Sequence, residues 1–134
     1  AVSEVLFFKE NGIKESEGSM KGKSRIGKWV YYYSDGKTLM IEENYVDGVL
    51  EGSYTSYFKN NTISEQLNYK KGKLHGNIKR FADNGTLLED LNYENGFLNG
   101  QANYYNVDGK LICTGVYEND ERVGDWKYYN DGKN

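Results

Sequence analysis

The chain has 134 residues, a length that fits one domain, with 17 basic against 20 acidic side chains and a net charge of -3. Hydrophobic residues make up 37% of it and mean hydropathy is -0.83, with no apolar run long enough for a membrane-spanning helix and no basic stripe of the kind a nucleic-acid partner requires. A single Cys excludes an intrachain disulfide and a cysteine metal cluster.

The apolar content is aromatic in kind: 13 Tyr, 5 Phe and 2 Trp. Such rings pack well on a pleated, half-exposed surface, where Tyr keeps its hydroxyl wet. Sixteen Gly and no Pro imply tight turns made with positive φ. The pattern predicts a turn-rich β chain.

Taken in chain order, the elements repeat. The first unit, roughly residues 3–26, places Phe8 before an Asn11-Gly12 turn. The second, 27–51, opens on Gly27 and runs through Trp29-Val30-Tyr31-Tyr32-Tyr33, an Asp35-Gly36 turn, Leu39, Tyr45, Gly48 and Leu50. The third, 52–75, repeats Gly52, Tyr57, Asn60-Asn61, Ile63, Tyr69, Gly72 and Leu74. The fourth, 76–99, holds Gly76, Phe81, Asn84-Gly85, Leu87, Tyr93, Gly96 and Leu98. The fifth, 100–123, holds Gly100, Tyr105, Asp108-Gly109, Leu111, Tyr117 and Asp120, and a partial unit, 124–134, holds Gly124, Tyr129 and Asp131-Gly132. Tyr45, Tyr69, Tyr93 and Tyr117 fall 24 residues apart without a break.

Asx-Gly between apolar runs is a strong hairpin signal and predicts type I′ turns at these tips. Leu39 and its equivalents lie six residues before the phased Tyr, an even offset that predicts one shared strand face. Each unit therefore reads as one β-hairpin. The expected architecture is all-β: a single domain over 1–134, one elongated antiparallel β-meander of about five and a half tandem 24-residue β-hairpin repeats. Stability then comes from neighbouring units, because one hairpin alone is marginal.

Asn68-Tyr69-Lys70-Lys71-Gly72-Lys73-Leu74-His75-Gly76 and Asn92-Tyr93-Glu94-Asn95-Gly96-Phe97-Leu98-Asn99-Gly100, with the Asp108-Gly109-Lys110-Leu111 turn, resemble the MORN repeat (membrane occupation and recognition nexus) in its bacterial variant. The resemblance covers nearly the whole chain. It implies a single-layer sheet that mediates protein association, a link to phospholipid in some members, and the antitoxin label that many bacterial members carry. No catalytic residue belongs to the motif. Asn61 and Asp120 depart from it at glycine positions, and both residue types tolerate positive φ.

Several local patterns suggest chemistry and are better explained by the repeat. Gly22 to Lys28 follows a phosphate-loop spacing until Trp29 replaces its hydroxyl residue, and no helix follows. Asn106-Val107-Asp108-Gly109 lacks the first and last ligands of a calcium loop. With one His (His75) and one Cys (Cys113, in the column of Ile41, Glu65 and Glu89), no nucleophile–base–orienter set can be built from the two. Glu65 and Glu89 read as a solvated acidic row. No enzyme, metal or cofactor is predicted.

The aromatic columns carry the functional expectation. The regular one (Phe8, Tyr32, Tyr57, Phe81, Tyr105, Tyr129) is expected to be core, because packing must repeat. The irregular face, with Trp29, Tyr31, Tyr33, Tyr54, Phe58, Trp126 and Tyr128, is expected to be exposed and to bind a protein partner of unknown identity. Peripheral membrane association is the alternative, disfavoured by the net charge, and antitoxin or immunity function is a third. The chain starts at Ala1 and ends half a repeat beyond Gly124. The expectation is a processed or trimmed product that either continues in a longer parent or pairs its last strand with another molecule, including end-to-end self-association. Compartment stays open between cytoplasm and export after signal removal.

Overall fold

The computed structural model describes residues 1–130; the Asp131-Gly132 turn expected from the sequence lies outside them. Fourteen strands and no helix are present among the described residues. In order they are β1 (Val2–Phe8), β2 (Lys14–Lys21), β3 (Ser24–Tyr32), β4 (Leu39–Val46), β5 (Val49–Leu50), β6 (Gly52–Tyr57), β7 (Ile63–Lys70), β8 (Lys73–Leu74), β9 (Gly76–Phe81), β10 (Leu87–Glu94), β11 (Phe97–Leu98), β12 (Gly100–Tyr105), β13 (Leu111–Glu118) and β14 (Glu121–Tyr128). All join one antiparallel sheet along the path β1-β2-β3-β4-β6-β7-β9-β10-β12-β13-β14. The two-residue strands β5, β8 and β11 fold back onto β4, β7 and β10. The meander of hairpins is as the sequence predicts.

The two turns of each unit exchange the chemistry expected of them. At the Asx tips only the second residue is left-handed, as at Gly12, Asn61, Gly85 and Gly109. The bonds Gly12 N–H to Lys9 O and Lys9 N–H to Ile13 O, both 2.9 Å, describe a tight turn followed by a left-handed residue. The Asx side chain closes it: Asn60 Oδ1 accepts from the Thr62 N–H at 3.0 Å and Asn84 Oδ1 from Thr86 at 2.9 Å. Two consecutive left-handed residues, the type I′ signature, occur instead at Asp47-Gly48, Lys71-Gly72, Asn95-Gly96 and Asn119-Asp120. There Val46 pairs directly with Val49, and Lys70 with Lys73.

These second turns stack unit upon unit. The backbone N–H of Gly48 donates to Arg25 O, Gly72 to Leu50 O, Gly96 to Leu74 O and Asp120 to Leu98 O, at 2.8 to 2.9 Å. Asparagine side chains repair the kink at three of the unit glycines, Gly52, Gly76 and Gly100. Asn44 Nδ2 donates to Ser53 O at 3.0 Å, Asn68 to His75 O at 3.0 Å and Asn92 to Gln101 O at 2.9 Å. A bulge shifts register near every tip, between Tyr31 and Tyr32, Ser56 and Tyr57, and Tyr104 and Tyr105. Leu39 consequently pairs with Tyr32 while Ile41 pairs with Tyr31. The even-offset argument linking Leu39 to Tyr45 fails, because one inserted residue reverses parity.

The core lies on the face opposite to the one expected. Trp29, Ile78 and Ala102 are 0% exposed, with Leu91 at 3% and Leu67 at 9%. Phe8, in the regular column, is 59% exposed, and Tyr32, Tyr57, Phe81 and Tyr105 are only half-buried. Position explains the reversal. The regular column stands beside the hairpin tips at the sheet margin, whereas the column of Trp29, Tyr54, Ile78 and Ala102 stands mid-strand with neighbours on every side. Its irregular sizes are met from the neighbouring strands: Ile78 stands opposite Leu91, while the small pair Ala102 and Gly115 leaves room for the Trp126 ring that lies on Gly115. The space is filled without a repeat of residue identity.

Candidate functional site

The face that holds the core also carries the ordered tyrosines. Tyr54, Tyr69, Leu74, Tyr93, Leu98, Tyr104 and Trp126 are partly buried against the Leu67–Ile78–Leu91–Ala102–Tyr117 cluster. Tyr54 and Tyr69 meet edge to face, ring centres 5.8 Å apart, and Tyr117 meets Trp126 the same way at 5.0 Å. Each ring has one side on the core and one toward solvent.

Their polar ends are tied down. Glu43, 6% exposed, accepts from the Tyr31 hydroxyl at 2.5 Å and the Tyr45 hydroxyl at 2.7 Å, with Arg25 Nη1 3.9 Å away. Burial, then the Glu43 carboxylate, pushes the Tyr31 hydroxyl well above its ordinary value. Burial does the same to Tyr54 and to Tyr104, whose hydroxyl shares a 2.9 Å bond with that of Tyr117. Glu65 and Glu89 are not a solvated row. Arg80 spans them, Nε to Glu65 at 2.9 Å and Nη1 to Glu89 at 3.1 Å. Those bonds hold the Arg80 guanidinium charged against the burial that opposes it. The carboxylates of this face are therefore answered within the fold.

The expected site residues separate. Trp29, Tyr31, Tyr54, Trp126 and Tyr128 share this face, but Trp29 is wholly core, so it offers a partner no surface. It lies over Gly18, with Phe7 at 6.0 Å and the Arg25 guanidinium 4.2 Å above its ring, and its Nε1 donates to Ser19 O at 2.9 Å. Tyr33 and Phe58 instead close hairpin tips, through Tyr33 N–H to Thr38 O and Phe58 N–H to Thr62 O. Tyr128 is 65% exposed. Cys113 is buried between Tyr104 and Tyr128.

Two arginines escaped the sequence reading, although a signal existed. The position two before each unit glycine reads Arg25, Leu50, Leu74, Leu98, Arg122. Arg appears only where Trp follows four residues later, and Arg122 stands 4.2 Å over Trp126 as Arg25 does over Trp29.

The family model described as MORN repeat variant matches residues 50–71 and 74–95. These two segments are MORN-variant repeats. The two matched MORN-variant segments span β5 to β7 and β8 to β10, the middle of the sheet, where Tyr69 and Tyr93 stand. No curated protein matches the chain.

Among the described residues nothing else competes as a site. A cavity of about 290 Å³ is lined by Glu4, Leu6, Glu17, Lys28 and Val30, but Glu17 holds Lys14 at 2.7 Å and Lys28 holds Glu42 at 3.2 Å. Among the described residues no cluster of His, Cys, Asp and Glu could hold a metal ion, and no helix is long and apolar enough to cross a membrane.

Proposed function

We propose that the chain is a non-catalytic repeat scaffold that binds a protein partner through its tyrosine-bearing face. The observation that supports this is the row Tyr54, Tyr69, Tyr93 and Tyr104, half-buried and fixed against a common core. Rings held this way lose little further freedom on contact, which is the property that makes Tyr productive at interfaces. Because Glu43, Glu65 and Glu89 are already met by Tyr and Arg, a partner gains ring contact without stripping bare charges of water. A protein surface suits this better than an anionic lipid surface, which selects basic patches.

Affinity capture from lysate tests it with three proteins: wild type, Tyr69→Lys/Tyr93→Lys on the proposed face, and Phe81→Lys/Tyr105→Lys on the other. Circular dichroism confirms that each folds. A partner held by wild type and the second variant but lost by the first supports the reading. Loss only with the second variant overturns the face, and recovery of lipid alone replaces protein binding with membrane binding.

A further inference from the structure

Besides its core, the tyrosine-bearing face holds a regular row in the interior of the sheet. Tyr45, Tyr69 and Tyr93 take equivalent places on β4, β7 and β10, and all three are half-buried. On one side each ring has a leucine: Tyr45 pairs with Leu50, Tyr69 with Leu74 and Tyr93 with Leu98. On the other side each has a glycine: Gly27 pairs with Tyr45, Gly52 with Tyr69 and Gly76 with Tyr93. Each interval between rings therefore has a leucine floor and a gap where glycine brings no side chain. The gaps are open: a Cβ on Gly52 would meet nothing within 4 Å, and one on Gly76 only Asn68 Nδ2 at 3.7 Å.

The interval has a defined length. Along the main path β4-β6-β7-β9-β10, consecutive tyrosines stand two strands apart, about 9.6 Å at the usual strand spacing. A partner that fills successive gaps must repeat at that length and on one face. An extended strand brings side chains back to a face after two or four residues, about 6.6 or 13 Å. The nearest return of an α-helix is seven residues, about 10.5 Å, an excess of about 0.9 Å at every gap. A polyproline II helix returns after three residues, about 9.3 Å, which is the closest match. The polar chemistry agrees. That helix has no internal hydrogen bonds, so its carbonyls take donors from outside. Among the described residues no buried polar side-chain atom lacks a partner, and the Tyr69 and Tyr93 hydroxyls, which bond to no other described residue, therefore lie at solvent as donors.

On the protein-binding reading of this face, which this inference deepens, we propose that the partner presents a proline-rich segment in the polyproline II conformation. The segment lies across the strands, one turn per repeat unit, with a proline in each Leu–Gly gap and its carbonyls on the tyrosine hydroxyls. Tyr117, at the next equivalent place, is buried against Trp126. The open row thus runs from Tyr45 to Tyr93 and holds two turns, about six residues.

Blocked oligoprolines of three, six and nine residues, titrated into the chain by calorimetry and by NMR of its tyrosine rings, test this. Six residues are expected to bind at least about tenfold tighter than three, and nine to add less than about threefold, because two gaps are filled. The ring shifts centre on Tyr69 and Tyr93. Tyr69→Phe/Tyr93→Phe keeps both rings, with folding checked by circular dichroism, and is expected to weaken six-residue binding at least about fivefold through its two lost donors. Wild type that binds no oligoproline, affinity that does not rise from three residues to six, or a double variant that binds like wild type each overturns the inference. So does an amphipathic helical peptide that binds these rings more tightly than the six-residue oligoproline. If oligoproline fails while Tyr69→Lys/Tyr93→Lys still abolishes protein capture, the proline partner alone falls. Oligoproline shifts confined to Phe81 and Tyr105 overturn the choice of face as well.

Discussion

A Cβ placed on Gly18 would stand 2.2 Å from Cδ2 of Trp29, inside any tolerated contact. The glycine is required by the ring lying on it, not by a turn. Gly115 has the same relation to Trp126, again at 2.2 Å. Gly18→Ala is expected to cost about 1–3 kcal/mol, the range for overpacking a filled core. Gly115→Ala is expected to cost less, because Trp126 lies on the outermost described strand and can swing outward. Urea denaturation of both variants checks the order.

The asparagine ladder should be worth a measurable amount per rung. Asn92→Ala removes the side-chain donor to Gln101 O where the strand kinks at Gly100. The expected loss is about 1 kcal/mol, the usual net value of one such bond. Faster amide exchange confined to β10 and β12 would place the loss at that rung.

Lys71 holds φ of 51° in a type I′ turn where Asp47 and Asn95 hold 47° and 51°. Asn enters this region at lower steric cost than Lys. Lys71→Asn is therefore expected to stabilise by up to about 1 kcal/mol. Gly72→Ala should destabilise, since its φ is 81° and its Cβ would press Val49 at 3.3 Å. Thermal unfolding separates the two signs.

The opposite face supplies a pH test. The Tyr57 hydroxyl donates to Glu42 at 2.6 Å, and that bond, then burial, raises it to about 12 from its ordinary 10. The same bond, then Lys28, lowers Glu42 against the burial that opposes it. A raised Tyr contributes below its unfolded value and loses the contribution as pH climbs toward about 12. A lowered carboxylate contributes above its unfolded value and loses the contribution as pH falls through the folded one. The stability gap between wild type and Tyr57→Phe should be widest near neutrality and close at both extremes.

Much of this fold is legible in the sequence, and the illegible part has a definite cause. The Tyr45–Tyr69–Tyr93–Tyr117 spacing fixed hairpins and phase because turns and pairing recur with the chain. Which face packs does not follow from alternation, which is symmetric between faces. The regular column misled because the sites between Phe8 and Tyr105 resemble one another at the sheet margin, whereas Trp29, Tyr54, Ile78 and Ala102 differ while filling one continuous space. Arg80 between Glu65 and Glu89 was invisible for a related reason, since its column reads Tyr31, Ser56, Arg80 and Tyr104. Only the cross-strand register, Arg80 opposite both Glu65 and Glu89, reveals the clamp.

The face assignment underlies the binding surface, so its direct test comes first: Ile78→Ala against Phe81→Ala in one denaturation experiment. Ile78 is wholly buried and should cost about 2–5 kcal/mol, while half-buried Phe81 should cost under about 2 kcal/mol. The reverse order would mean that the regular aromatic column is the core after all, and the tyrosine face would lose its claim as the scaffold's working surface.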